Sequence, residues 1–130
     1  MELNKGNSSP GMEDNLKKAV TEMVVLSLLD GEDMYANQIT QSLEKYSDGA
    51  VSIVFPYSAL YRLISAGYIW EAYKKTAPDG RRRQYYQITE QGREYLGELQ
   101  DVYTRFTGGV DRVLLRGEDK IRWIKPHSAI

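Results

Sequence analysis

Apolar residues recur at helical spacing along most of the chain and at strand spacing over one stretch of it. From Asp14, whose carboxylate can cap free backbone N–H groups, Leu16, Ala19, Val20, Met23 and Val24 follow at intervals that place them on one helix face. Between Met23 and Leu29 the pattern becomes apolar nearly all round, so this helix needs cover on more than one side. In so small a domain the second cover is another copy of the chain. Asp30-Gly31 stops the helix. A second helix is predicted from Tyr35 to Tyr46, with Ile39 and Leu43 as its buried pair and Asp48-Gly49 beyond its end. After the β-branched stretch from Val51 to Val54, Pro56 pre-sets a third helix. That helix carries Tyr57, Leu60, Leu63 and Ile64, and Gly67 is its stop.

Alternation then replaces helical spacing. Strands are predicted from Tyr68 to Lys75 and from Arg82 to Ile88, joined at Ala77-Pro78-Asp79-Gly80. Pro fixes φ, Asp offers an Asx-type side chain and Gly accepts positive φ, so this turn has a mechanism. Successive residues point to opposite faces, which predicts that one of Tyr85 and Tyr86 is core and the other exposed. Thr89 caps a last helix in which Tyr95, Leu99, Val102, Tyr103, Phe106, Val110, Val113 and Leu114 share a stripe. Gly108-Gly109 sits within it at a cost of ~1 kcal/mol per Gly relative to Ala, and a continuous and a broken helix both fit. The expected organisation is a disordered arm at 1–13, a folded domain at 14–93, a dimerisation helix at 94–116 and a tail at 117–130. The tail carries an apolar cluster of Ile121, Trp123 and Ile124. The fold class is α+β, mainly α with a small β-hairpin. Three helices followed by a hairpin is the order of a winged helix-turn-helix.

Charge sharpens this reading. The net charge of the 130 residues is −1, yet residues 51–93 hold seven cations against Glu71, Asp79 and Glu90, a local excess of four. One basic face on an otherwise acidic chain suits a protein that touches a polyanion on one side only. In a winged helix-turn-helix the third helix enters the major groove, where Ser52, Tyr57, Ser58, Tyr61 and Arg62 are the groups available. Arg62 can pair with a guanine edge or neutralise a phosphate, while Tyr and Ser hydroxyls more often go to phosphate. One of Tyr57 and Tyr61 is expected to pack the helix pair and the other to face DNA. Lys74, Lys75, Arg81, Arg82 and Arg83 surround the hairpin turn, ready for the sugar-phosphate backbone or a minor groove. Leu16, Val20 and Met23 of the first helix, with Leu99, Val102, Tyr103, Phe106, Val110 and Val113 of the last, are the predicted dimerisation residues. Trp70 reads as a packing residue.

The same residues carry a family resemblance. Tyr57–Ile69 (YSALYRLISAGYI) resembles the recognition-helix signature of PadR-family regulators, Y-x-x-L-x-R-L-x-x-x-G-x-I. Gly80–Gly92 (GRRRQYYQITEQG) resembles their wing, G-R-R-[RK]-x-Y-Y-x-[LI]-T-x-x-G, and Tyr35 with Ile39 is similar to their helix-two pair. The likeness spans about residues 16–106. It implies a dimeric repressor whose last helix packs on the first helix of its partner, and it adds Tyr35 to the DNA-facing set. The short C-terminal region implies the compact subgroup with a single dimerisation helix, some members of which bind planar aromatic compounds between subunits. The chain departs from the family pattern in three places: Val54-Phe55-Pro56 occupies the stretch of a small Gly-Thr or Gly-Ser pair, Met34 replaces a Gly, and the last helix offers only Tyr103 and Phe106 where drug-binding members use a Trp.

Other classes are disfavoured. Catalysis needs a positioned nucleophile, acid–base pair or metal, and the chain has one histidine (His127), no cysteine and no phosphate-binding glycine loop. No cofactor is expected beyond a small aromatic effector. No apolar run reaches the ~20 residues of a membrane span, and no secretion signal is recognisable, so the expected compartment is the cytoplasm. A winged-helix module for protein–protein assembly is the alternative; such a module has no need of five cations around one turn. The expected partners are double-stranded DNA and a second copy of the chain.

Overall fold

A computed structural model describes residues 9–53 and 56–117. Helix α1 (Ser9–Gly31) leads to a short strand β1 (Met34–Tyr35), helix α2 (Ala36–Tyr46) and helix α3 (Tyr57–Ser65). Strands β2 (Ile69–Thr76) and β3 (Arg82–Ile88) form the hairpin, and helix α4 (Glu90–Leu114) follows. The antiparallel sheet has the order β1-β3-β2. The α+β winged arrangement expected from the sequence is present, with one strand more than the pattern foretold. Two residues are too few to show alternation, and Tyr35 reads as the first residue of a helix. In fact it is the extended N-cap of α2, and Gln38 accepts a hydrogen bond from its backbone N–H at 3.4 Å.

Contiguous contacts divide the chain into two units, 1–96 and 97–130. The core of the first is built from the helical stripes and the inner face of the sheet. Val25, Leu26 and Leu29 of α1 meet Ile39 and Leu43 of α2, Leu60 and Leu63 of α3, and Ile69 and Ile88 of the hairpin, all buried. The apolar run of α1 is thus split, for Met23, Val24 and Leu28 on its other sides stay half-covered.

Several expectations change. Helix α1 starts at Ser9 rather than Asp14, because a proline at position 10 fits a first helical turn whose N–H groups have no partner anyway. Of the predicted N-terminal arm, residues 9–13 are therefore helical and the remainder lies outside the described residues. Residues 118–130 of the tail, including Trp123 and His127, lie outside them too, as do Val54 and Phe55. Tyr85 and Tyr86 are both buried, since one face of β3 turns toward α1, with Tyr86 also bordering α3, and the other is roofed by Tyr35 and Tyr73. Trp70, expected to pack, is exposed, with its Nε1–H donating to Gln87 Oε1 at 2.7 Å. Helix α4 passes unbroken through Gly108-Gly109. Propagation adds a bond per residue to a helix already nucleated, so ~2 kcal/mol from two glycines is spread over many turns.

The start of α4 is fixed tightly to the hairpin. Thr89 Oγ1 accepts from the Gly92 N–H at 2.9 Å, the expected cap, and donates to the Gly67 carbonyl at 2.7 Å. Tyr95 stacks on Tyr68 with ring centres 4.1 Å apart. Gly92 is the pivot of this joint: a Cβ there would collide with the Tyr68 carbonyl oxygen and lie 2.7 Å from Ile88 Cγ1. Overpacking of this kind costs ~1–3 kcal/mol. Gly92→Ala is accordingly expected to lower the melting temperature by several degrees, whereas Gly97→Ala, with open space at its Cβ, should not.

Candidate nucleic-acid interface

The N-terminal half of α3 lies beside the hairpin with one side exposed. Ala59, Leu60 and Leu63 are buried, and the opposite side presents Tyr57, Ser58, Tyr61 and Arg62. Tyr57 and Tyr61 are 57% and 72% exposed, so neither packs the helix pair as one of them was expected to. Their side chains border a hollow of ≈ 440 Å³ whose wall is Leu60, Ile64, Glu71 and Tyr86. Arg62, expected at a base edge or phosphate, is turned to the other flank. Its Nε donates to Glu22 Oε2 of α1 at 3.0 Å, and the Tyr95 hydroxyl donates to the same carboxylate at 3.4 Å. Ser52 is half-buried in the segment between α2 and α3.

Tyr35 is not at the surface. It is buried with Tyr85 and Ala77, its ring edge-on to Tyr85 at 5.4 Å. The resemblance placed it among DNA-facing groups; its packing role follows from its extended backbone, which turns the ring into the sheet.

A β-bulge sorts the wing cations between two faces. Glu71 pairs with Tyr86 and Tyr73 with Tyr85, so Ala72 is the extra residue and the alternation of β2 changes phase there. Beyond it, Lys75 pairs with Arg83 on the face of Tyr73, Tyr85 and Tyr35. Lys75 Nζ lies 4.8 Å from the Tyr85 ring centre, and the Arg83 guanidinium lies 5.4 Å from that of Tyr35. Arg83 also donates to Asp79 through Nη2 at 2.6 Å and Nε at 3.2 Å. That guanidinium, followed by the Arg81 backbone N–H at 3.0 Å, holds the Asp79 carboxyl below its ordinary pKa.

On the other face, Lys74 pairs with Gln84 and Thr76 with Arg82, on the side of Glu71 and Tyr86 that borders α3. Arg82 and Tyr57 line one cleft of ≈ 170 Å³ with Asn37 at the start of α2. Lys74, Arg81 and Arg82 form no salt bridge among the described residues. The structure thus brings Tyr57, Ser58, Tyr61, Lys74 and Arg82 to one side, with Arg81 at the tip. It ties down Lys75, Arg83, Tyr35 and Arg62. Asn37 was not singled out by the sequence, since a lone polar residue in a first helical turn gives no signal of its own.

Most of the predicted dimerisation residues are exposed in the single chain. Leu16 is exposed on α1, with Val20 and Met23 half-covered. Along α4, Val102, Tyr103, Phe106, Val110 and Val113 are exposed and Leu99 is half-covered. No helix among the described residues is long and apolar enough to cross a membrane.

Comparison with known proteins agrees with this fold. The sequence pattern of the Transcriptional regulator PadR-like family matches residues 25–98. A PadR-like transcriptional regulator of Bacillus cereus is 29% identical, with a TM-score of 0.67, over 80% of this chain and 99% of that one. A PadR-family regulator of Eggerthella lenta is 28% identical with a TM-score of 0.63, over 81% of this chain and 87% of its own. An uncharacterised protein of Lysinibacillus sphaericus is 29% identical over 79 residues, 60% of this chain and 72% of that protein.

Proposed function

Because the chain belongs to the PadR-like family of transcriptional regulators, we propose that it is a cytoplasmic repressor that binds an inverted-repeat operator as a homodimer. The observation that carries this reading is the pairing of exposed α3 side chains with the cations Lys74 and Arg82 on one side of the wing. Groove-facing hydroxyls and rings flanked by free cations serve a double helix: the helix meets base edges while the wing holds phosphates. A module built only for protein–protein assembly gives no reason for cations without partners.

The uncovered stripe of α4 supports the dimer. Six residues from Leu99 to Val113 form an apolar face of a length that a second copy would cover, the last helix of one copy lying on the Leu16, Val20 and Met23 stripe of the other. The exposed rings of Tyr103 and Phe106 would also receive a flat aromatic effector between the copies, whose binding would change the spacing of the two recognition helices.

Two recognition helices on one face of the duplex protect half-sites one helical turn apart, ~10 bp between centres. Footprinting on the DNA upstream of the protein's own gene is expected to show two such half-sites related by a dyad. Protection of a single asymmetric half-site would contradict the proposal.

A further inference from the structure

We propose that α3 reads thymine methyl groups through the exposed Tyr57–Tyr61 pair, and not guanine edges through Arg62. The inference rests on the DNA-binding reading above and concerns what that surface recognises. Direct readout in the major groove uses a small vocabulary: Arg or Lys for guanine, Asn or Gln for adenine, and apolar contact for the thymine methyl. Helix α3 contains no Asn, Gln or Lys, and its one cation is Arg62.

Arg62 is held on the flank of the helix that faces α1. It lies about 100° around the axis from Tyr61, and Glu22 receives its Nε at 3.0 Å. A half-exposed ion pair of this kind is weak in itself; its position on the flank is what removes Arg62 from the groove face. The two tyrosines, one turn apart, occupy the opposite flank and the outer side. Beside them, Leu60, Ile64 and Tyr86 form a hollow walled mainly by carbon. That is a surface for a methyl group at the edge of a base pair. The hydroxyls of Ser58 and of the tyrosines remain free for phosphates, which set register without reading sequence. The chemistry on the helix therefore favours half-sites with thymines at the base steps under Tyr57 and Tyr61.

The test begins with half-sites selected by the full-length protein from a random-sequence duplex pool. Each thymine is then replaced by deoxyuridine, which keeps base pairing and removes only the 5-methyl group. At contacted positions affinity should fall about fourfold per thymine, the fold-change corresponding to ~0.8 kcal/mol for one buried methyl. Tyr61→Ala, at a residue exposed enough to leave the fold intact, should abolish the difference between thymine and uracil at the base step under Tyr61, and Tyr57→Ala with Tyr61→Ala should abolish it throughout. Arg62→Ala should leave it in place. Affinity that ignores deoxyuridine everywhere, or selected half-sites whose guanine dependence vanishes with Arg62→Ala, overturns the inference. Salt-sensitive binding to any duplex would persist in those cases; its absence would instead remove the DNA-binding reading itself.

Discussion

Replacing Lys74, Arg81 and Arg82 together with alanine is expected to weaken duplex binding on the order of a hundredfold at about 0.15 M salt. Each phosphate neutralised by a cation contributes ~0.9 to the slope of log K against log salt, so three lost contacts flatten the slope by up to ~2.7. The loss should be nearly uniform across sequences, because phosphate contacts position the protein without specifying bases. Arg83 is bound to Asp79 and lies against Tyr35, so its removal should disturb the wing more than the DNA contact. Asp79→Asn changes the balance in the opposite direction. The amide can still accept from the Arg81 N–H, but one negative charge leaves the tip and Arg83 is released, so the slope should steepen by up to ~1. Anisotropy titrations at several salt concentrations read both variants. A triple variant with the parent's slope would take the wing out of the interface.

The second large effect concerns assembly. Val102 and Phe106 are one turn apart on the uncovered face of α4, and Phe106 is 68% exposed. Covering such side chains contributes ~1.5–3 kcal/mol each, and both copies carry the change, so Val102→Glu with Phe106→Glu should raise the dimer dissociation constant by at least ~10⁴. Glutamate is a good helix former, and neither residue belongs to the buried core, so helical content should be unchanged. Light scattering at micromolar concentration is expected to give a dimer for the parent and a monomer for the variant. Operator binding should then fall to that of a single half-site. A parent that is monomeric under these conditions would leave the α4 stripe without its proposed occupant.

Much of this architecture was legible in the sequence because it rests on local chemistry. Pro56 and Gly67 bracket α3, and Pro78-Asp79-Gly80 makes the hairpin turn, with Gly80 at φ +86°. Thr89 caps α4 three residues before the glycine that it serves. What was hidden depends on residues distant in sequence. Arg62 looks free until Glu22, forty residues earlier, is brought beside it by the packing of α1 on α3. Tyr35 looks like a surface residue until two residues of extended chain turn it into an edge strand against Tyr85. Five wing cations read as equals in one dimension, and only the register of β2 on β3 distinguishes them.

Ala72 therefore has an importance out of proportion to its methyl group. Because it is one residue too many, the charged half of β2 is rotated by half a pleat relative to Ile69 and Glu71. Drawn into a regular ladder, with Ala72 opposite Tyr85, the same strand would put Lys74 on the face of Arg83 and Lys75 on that of Arg82, with no change in composition or net charge. Among proteins of this kind, counting arginines near the wing is thus a poor guide to which backbone they can grip. The register of the two hairpin strands, bulges included, is the better one.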